Sequence, residues 1–115
     1  MKAQAQDLKS ENFSAIAWNN ALTYQLIYTQ PVVYELKYLE MPTLLIVGSE
    51  DRTIVGKGYL NDSVKNQHGN YPALAQQAKQ QIADCTLIII PGVGHIPHIQ
   101  EPEKFKEAIM NFLEE

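Results

Sequence analysis

The sequence predicts an α/β fold, a short parallel sheet with flanking helices, and three observations carry the prediction. Two continuous apolar runs, Thr43-Leu44-Leu45-Ile46-Val47 and Thr86-Leu87-Ile88-Ile89-Ile90, are each closed by Gly or Pro-Gly, the habit of strands buried on both faces. A helical stripe lies between them, so strand, helix and strand form a right-handed crossover unit with parallel strands. A second amphipathic helix ends the sequence and supplies a further layer for the sheet.

Taken in order, the apolar residues Phe13, Ile16, Ala17, Leu22, Leu26 and Ile27 recur at three- and four-residue spacings, which predicts an amphipathic helix from Asn12 to Tyr28. Trp18, Tyr24 and Tyr28 add aromatic surface whose polar tips need partners, so this helix is expected to cover something. Pro31 ends it. Val32 to Leu39 has the β-branched and aromatic content of an extended stretch, but Glu35 and Lys37 alternate imperfectly and no element is assigned there. The first strand follows Pro42. A long polar loop then runs from Asp51 to Asn70. The next helix is expected from Pro72 to Ala83, with proline in its first turn and Leu74, Ala75, Ala78 and Ile82 as its stripe. After the second strand, Pro102 opens a helix reaching Leu113 that sets Phe105, Ala108, Ile109, Phe112 and Leu113 on one face. The organisation expected is a helical segment with linker over 1–41 and a core portion over 42–115.

Composition bounds the function classes. At 115 residues, 45% of them hydrophobic, the chain can bury roughly two-thirds of its unfolded surface without disulfides or metal. A formal charge of -4, with 9 basic against 13 acidic residues and no basic cluster, argues against nucleic acid or an anionic membrane as partner. The single cysteine, Cys85, has no internal disulfide partner and reads as a small core residue. Met1 to Ser10 holds no apolar stretch and the longest apolar runs are strand-length, so the expected location is the cytoplasm. Two parallel strands that are apolar on both faces leave two hydrophobic edges, and such a sheet wants more strands. Another chain, or a second copy in a dimer, is the expected source.

In open parallel sheets reactive groups gather beyond the carboxyl ends of the strands. The two loops there read Gly48-Ser49-Glu50-Asp51-Arg52 and Pro91-Gly92-Val93-Gly94-His95-Ile96-Pro97-His98. One offers a carboxylate, Asp51, and the other an imidazole, His95, at the same rim. A carboxylate on Nδ1 fixes the imidazole tautomer and stabilises the imidazolium, the support a general base needs. On chemistry alone the commoner fate of an Asp followed by Arg52 is a turn or a surface ion pair. Glu50 competes for the acid role but is expected to face solvent, and His98 reads as a rim residue. A metal set of His95, His98, Glu101 and Glu103 is broken by Pro97, and no metal is expected. Gly92-Val93-Gly94 lacks the third glycine, the Lys-Ser/Thr and the following helix of a phosphate loop, so no cofactor is expected and the segment reads as a flexible strand exit.

These motifs together carry a resemblance. The stretch Met41 to Val55, MPTLLIVGSEDRTIV, followed by Leu87 to Phe105, LIIIPGVGHIPHIQEPEKF, resembles the C-terminal part of the α/β-hydrolase family. In that family a buried strand ends in Gly-x-x-Asp and the next leads to Gly-His. The resemblance therefore implies Asp51 as the acid of a triad and His95 as its base, with Glu101-Pro102 matching the usual ending. It covers Pro42 to Leu113 well and Met1 to Met41 loosely, where Asn12 to Tyr28 resembles the end of a cap region. The sequence departs from the family in two places. The polar loop between acid and base, with Gly56, Gly58, His68, Gly69 and Asn70, is longer than in many members. A solvated excursion is its plain reading, and a lid or partner surface the alternative. More seriously, no Gly-x-Ser-x-Gly elbow surrounds Ser10, Ser14, Ser49 or Ser63, only Asp7 precedes Asp51 as an aspartate, and no glycine-rich oxyanion segment is present.

The function expected is that of a truncated hydrolase. This C-terminal part supplies acid and general base for hydrolysis of a small ester-like or acyl substrate, and is inactive without an upstream nucleophile. Its partner is then the N-terminal half of the hydrolase or a second copy of the chain. The alternative is a non-catalytic, free-standing remnant that self-associates or binds a small molecule.

Overall fold

The structure, a computed structural model, describes residues 12–114. The chain divides into two compact units, the first ending at Tyr34 and the second comprising Glu35–Glu115. In the first, helix α1 spans Phe13–Thr29, one residue later at each end than the expected helix. Thr23 and Thr29 back-bond to the carbonyls of Asn19 and Gln25 at 2.9 and 2.8 Å. No residue of α1 is buried. Phe13, Trp18, Leu22, Tyr24, Leu26, Ile27 and Tyr28 are all exposed, so the expected one-sided helix is corrected to a helix that is apolar on several faces. Val32–Tyr38 is a 3₁₀ helix and not an extended stretch.

The second unit is built on strands β1 (Thr43–Gly48) and β2 (Cys85–Ile90). They pair in parallel, from Thr43 opposite Cys85 to Gly48 opposite Ile90. Helix α3 (Tyr71–Gln81) joins them and packs on both strands, as the crossover reading requires. Asn70 caps α3 by accepting from the Ala73 N–H at 3.4 Å, and Pro72 occupies its first turn where no donor is lost. Of the expected stripe, Ala75 and Ile82 are buried, but Leu74 is 47% exposed. The final helix, α5 (Pro102–Glu114), also packs on both strands, with Ala108 buried and Phe105, Ile109 and Phe112 half-buried. Leu113 faces out at 71% exposure. Cys85 opens β2 and is half-buried, not a core residue.

Three short elements went unforeseen. The polar segment after Asp51 contains a 3₁₀ turn, Lys57–Tyr59, and helix α2, Asp62–Gln67, whose N-cap Asn61 accepts from the Val64 N–H at 3.0 Å. It is a folded excursion, not a bare loop. A single turn, α4 (Pro97–Gln100), precedes α5.

The core lies where the strands end. Ile90 and Val93 are each 2% exposed, whereas β1 and β2 are otherwise half-buried along Thr43–Val47 and Cys85–Ile89. Gly48 is the tightest point. A Cβ on it would stand 2.1 Å from the Val93 carbonyl oxygen and 2.2 Å from that of Gly94. Those atoms belong to backbone and cannot swing aside, so no residue but glycine lets the second loop cross the end of β1. Gly48→Ala is accordingly expected to lower stability by about 1–3 kcal/mol or more. Gly58→Ala, with nothing within 4 Å and no positive φ, should leave the urea midpoint unchanged or slightly raised.

Candidate functional site

Both rim loops are tied to each other by backbone before any side chain is considered. The Ser49 N–H donates to the Ile90 carbonyl at 2.9 Å and the Glu50 N–H to the Val93 carbonyl at 2.8 Å. The Ser49 hydroxyl accepts from the Gly92 N–H at 2.9 Å and donates to Glu50 Oε1 at 3.2 Å. Gly92 stands at φ +72, a conformation in which a side chain would be strained. On the far side, the Gly94 N–H donates to Gln100 Oε1 at 2.8 Å, so the turn α4 pins the residue before His95. The stretch read as a flexible strand exit is in fact held at both ends.

This frame brings Asp51 and His95 together. His95 Nδ1 lies 2.9 Å from Asp51 Oδ2. The other carboxylate oxygen, Oδ1, accepts from the Thr53 N–H at 3.0 Å, an Asx turn that fixes the carboxylate plane. Asp51 is 5% exposed, yet the His95 side chain is 55% exposed. One partner is held inside and the other presents its ring to the outside. The Tyr71 ring meets His95 edge-on at 5.8 Å between centroids, and the Tyr71 N–H donates to the Asp51 carbonyl at 3.4 Å.

Burial is the largest influence on the Asp51 carboxyl and opposes its ionisation. The hydrogen bonds from His95 and from Thr53, with the attraction of a charged His95, outweigh it together, and the pKa lies below the ordinary carboxylate value.

Arg52 does not pair with Asp51 through its carboxylate. Its Nη1 donates to the backbone carbonyls of Asp51 at 2.8 Å and Ser49 at 3.1 Å, bracing the turn. Glu50 is exposed and its carboxylate meets Ser49. His98 is exposed, with its ring 5.7 Å from that of Phe105. Among the described residues no three His, Cys, Asp or Glu side chains gather closely enough to hold a metal ion. Sequence reasoning missed Ser49, Thr53, Tyr71 and Gln100. Only Thr53 left a signal, since Asp-x-Thr after a strand is an Asx-turn pattern; the others act through contacts made only by the folded loops.

Comparison with known proteins bears on this arrangement. The chain is 45% identical to a probable hydrolytic enzyme from Pseudomonas aeruginosa PAO1 across 91% of its own length, with a TM-score of 0.84. The chain has a hydrolase-like fold. It spans about a third of that enzyme's length, 34%. No family model and no curated protein matches the chain. Among the described residues no helix is long and apolar enough to cross a membrane.

The depressed Asp51 pKa has a consequence for stability. Because the folded-state value lies below the unfolded one, near 3.9, the unfolded chain binds more protons in the window between them. The stabilisation is therefore complete above about pH 4–5 and is lost as pH falls through the folded value. Urea midpoints measured from pH 6 down to pH 2.5 should fall, and Asp51→Asn should start lower at pH 6 and show a shallower decline below about pH 4.

Proposed function

We propose that this chain contributes the acid and the general base of an α/β-hydrolase triad, acting on a small ester-like or acyl substrate. The observation that carries the reading is the buried Asp51 carboxylate on Nδ1 of a half-exposed His95, at the rim of two parallel strands. The likeness to a probable hydrolytic enzyme supports it.

In this reading Asp51 accepts the Nδ1–H hydrogen bond, so the free lone pair of His95 sits on Nε2. As a hydroxyl nucleophile attacks the substrate carbonyl, its proton passes to Nε2 and the imidazolium is stabilised by Asp51. Collapse of the tetrahedral intermediate breaks the acyl–oxygen bond, and Nε2 returns the proton to the leaving oxygen. Water then repeats the sequence on the acyl-enzyme. The nucleophile and the oxyanion donors come from outside these residues, in the N-terminal half of the hydrolase, because no Gly-x-Ser-x-Gly elbow occurs here. Tyr71 and Gln100 serve as positioning residues.

The test is complementation. The chain is co-expressed with the part of the Pseudomonas enzyme that it does not match, and hydrolysis of a short p-nitrophenyl ester is followed. Activity should appear only with both parts. Asp51→Asn should lower kcat by roughly 10³–10⁴-fold, and His95→Ala by at least about as much. Restored activity that survives both substitutions would refute the assignment.

A second reading, self-association, is favoured by one observation: the apolar strands β1 and β2 are only half-buried. A second copy pairing along a sheet edge would cover them. Light scattering should then give twice 13.0 kDa, and a monomer across a wide concentration range would exclude this reading.

A further inference from the structure

The excursion between the acid and the base carries charge that the dyad does not use. It borders an open groove of about 590 Å³ lined by Arg52, Lys57, Lys65, His68 and Asn70, with Asp62 the one carboxylate. Three permanent cations therefore face one anion, in a chain whose formal charge is -4. Asp62 does little to cancel them. It meets Lys65 at 3.2 Å as a neighbour one helical turn away, but its side chain is 93% exposed while that of Lys65 is 29% exposed, the geometry of a weak surface pair. Among the described residues neither Arg52 nor Lys57 pairs with a carboxylate.

The cations are also held in place. Arg52 Nη1 is anchored on two backbone carbonyls, leaving the rest of its fork of donors unused by them, and Lys57 Nζ donates to the Arg52 carbonyl at 3.3 Å. The segment closes on itself at Gly69, which stands at φ +73. A Cβ there would lie 2.6 Å from Ile54 Cγ1, 3.0 Å from the Thr53 carbonyl oxygen and 3.1 Å from that of Arg52. Only glycine permits that contact, so backbone packing at Gly69 fixes the fold of the segment that carries these cations.

We propose that this groove binds a small oxyanion, a carboxylate or phosphate group, through Arg52, Lys57 and Lys65. The guanidinium supplies planar paired donors and the two ammonium groups supply point charges, a combination suited to a multidentate anion. The inference does not depend on the hydrolytic reading, since it uses none of the dyad's side-chain atoms.

The test is an amide NMR titration of the 115-residue chain at pH 7, with sodium phosphate and separately with sodium succinate, ionic strength being held constant with sodium chloride. Shifts in residues 52–70 should saturate with at least one of the two. Phosphate alone, succinate alone or both would identify the group the site prefers. The Lys57→Ala/Lys65→Ala double variant should raise the midpoint at least about tenfold, while Lys79→Ala, on α3 outside the groove, should leave it unchanged. Shifts that stay linear with both anions, or a midpoint unmoved in the double variant, would overturn the proposal.

Discussion

Two loops leave the sheet in the same direction, and the absence of one methyl group lets them touch. At Gly48 the end of β1 lies against the carbonyls of Val93 and Gly94, where a Cβ would fall 2.1 and 2.2 Å from backbone oxygens. The rest of the site depends on this approach. It lets the Glu50 N–H reach the Val93 carbonyl, and the Ser49 hydroxyl reach the Gly92 N–H. It also sets Val93 into the core at 2% exposure. The relative placement of Asp51 and His95 is thus a backbone property, fixed before their rotamers are chosen, and their separation of 44 positions in sequence adds no slack. A side-chain pair spanning two independent loops would lose most of its attraction to the entropy of holding both loops still.

The asymmetry of burial across the pair follows from the same geometry. Asp51 enters the crevice with its loop, and a buried carboxylate without donors would protonate or destabilise the fold. Donors on both of its oxygens, His95 Nδ1 on one and the Thr53 N–H on the other, keep it ionised. The His95 side chain, by contrast, is 55% exposed. A fixed anion behind a reachable imidazole is the arrangement that proton transfer by an imidazole requires.

The legible part of this molecule was the part governed by local pattern. The runs Leu44–Val47 and Leu87–Ile90 read as strands from their short length and apolar continuity, though they are half-buried and not covered on both faces, and Pro72 and Pro102 mark helix starts because a missing N–H costs nothing there. The meeting of Asp51 and His95 was foreshadowed by two loops leaving adjacent strands at one rim, and their pairing by the resemblance of those loops to the α/β-hydrolase family. What stayed hidden depends on partners distant in sequence. Helix α2 is six residues long and polar, too short to show a period, and only the Asn61 cap marks it. Leu74 shares a stripe with Ala75 and Ile82, but the described elements of the second unit leave it uncovered. In α1, three- and four-residue spacings occur on more than one face at once, so the pattern foretold a helix correctly and a single buried side wrongly. The 3₁₀ turn over Val32–Tyr38 defeats strand propensity, which measures fit to a pleated surface and not a backbone preference.

The half-buried strands bring these threads together. Central strands of a parallel sheet are covered on both faces and paired on both edges, yet Thr43–Val47 and Cys85–Ile89 are each only half-buried although nearly every residue is apolar. Helices α3 and α5 supply only part of the covering such strands need. The chain spans about a third of the length of the hydrolytic enzyme it resembles. The partial covering of the strands nevertheless stops short of Asp51 and His95. Gly48, Val93, Ser49, Thr53 and Gln100 all belong to the second unit, and among the described residues the contacts that orient Asp51 and His95 are made within it. The placement of Asp51 beside His95 is therefore independent of how fully the two strands are covered: the backbone contacts between the two rim loops hold the pair even where β1 and β2 are only half-buried.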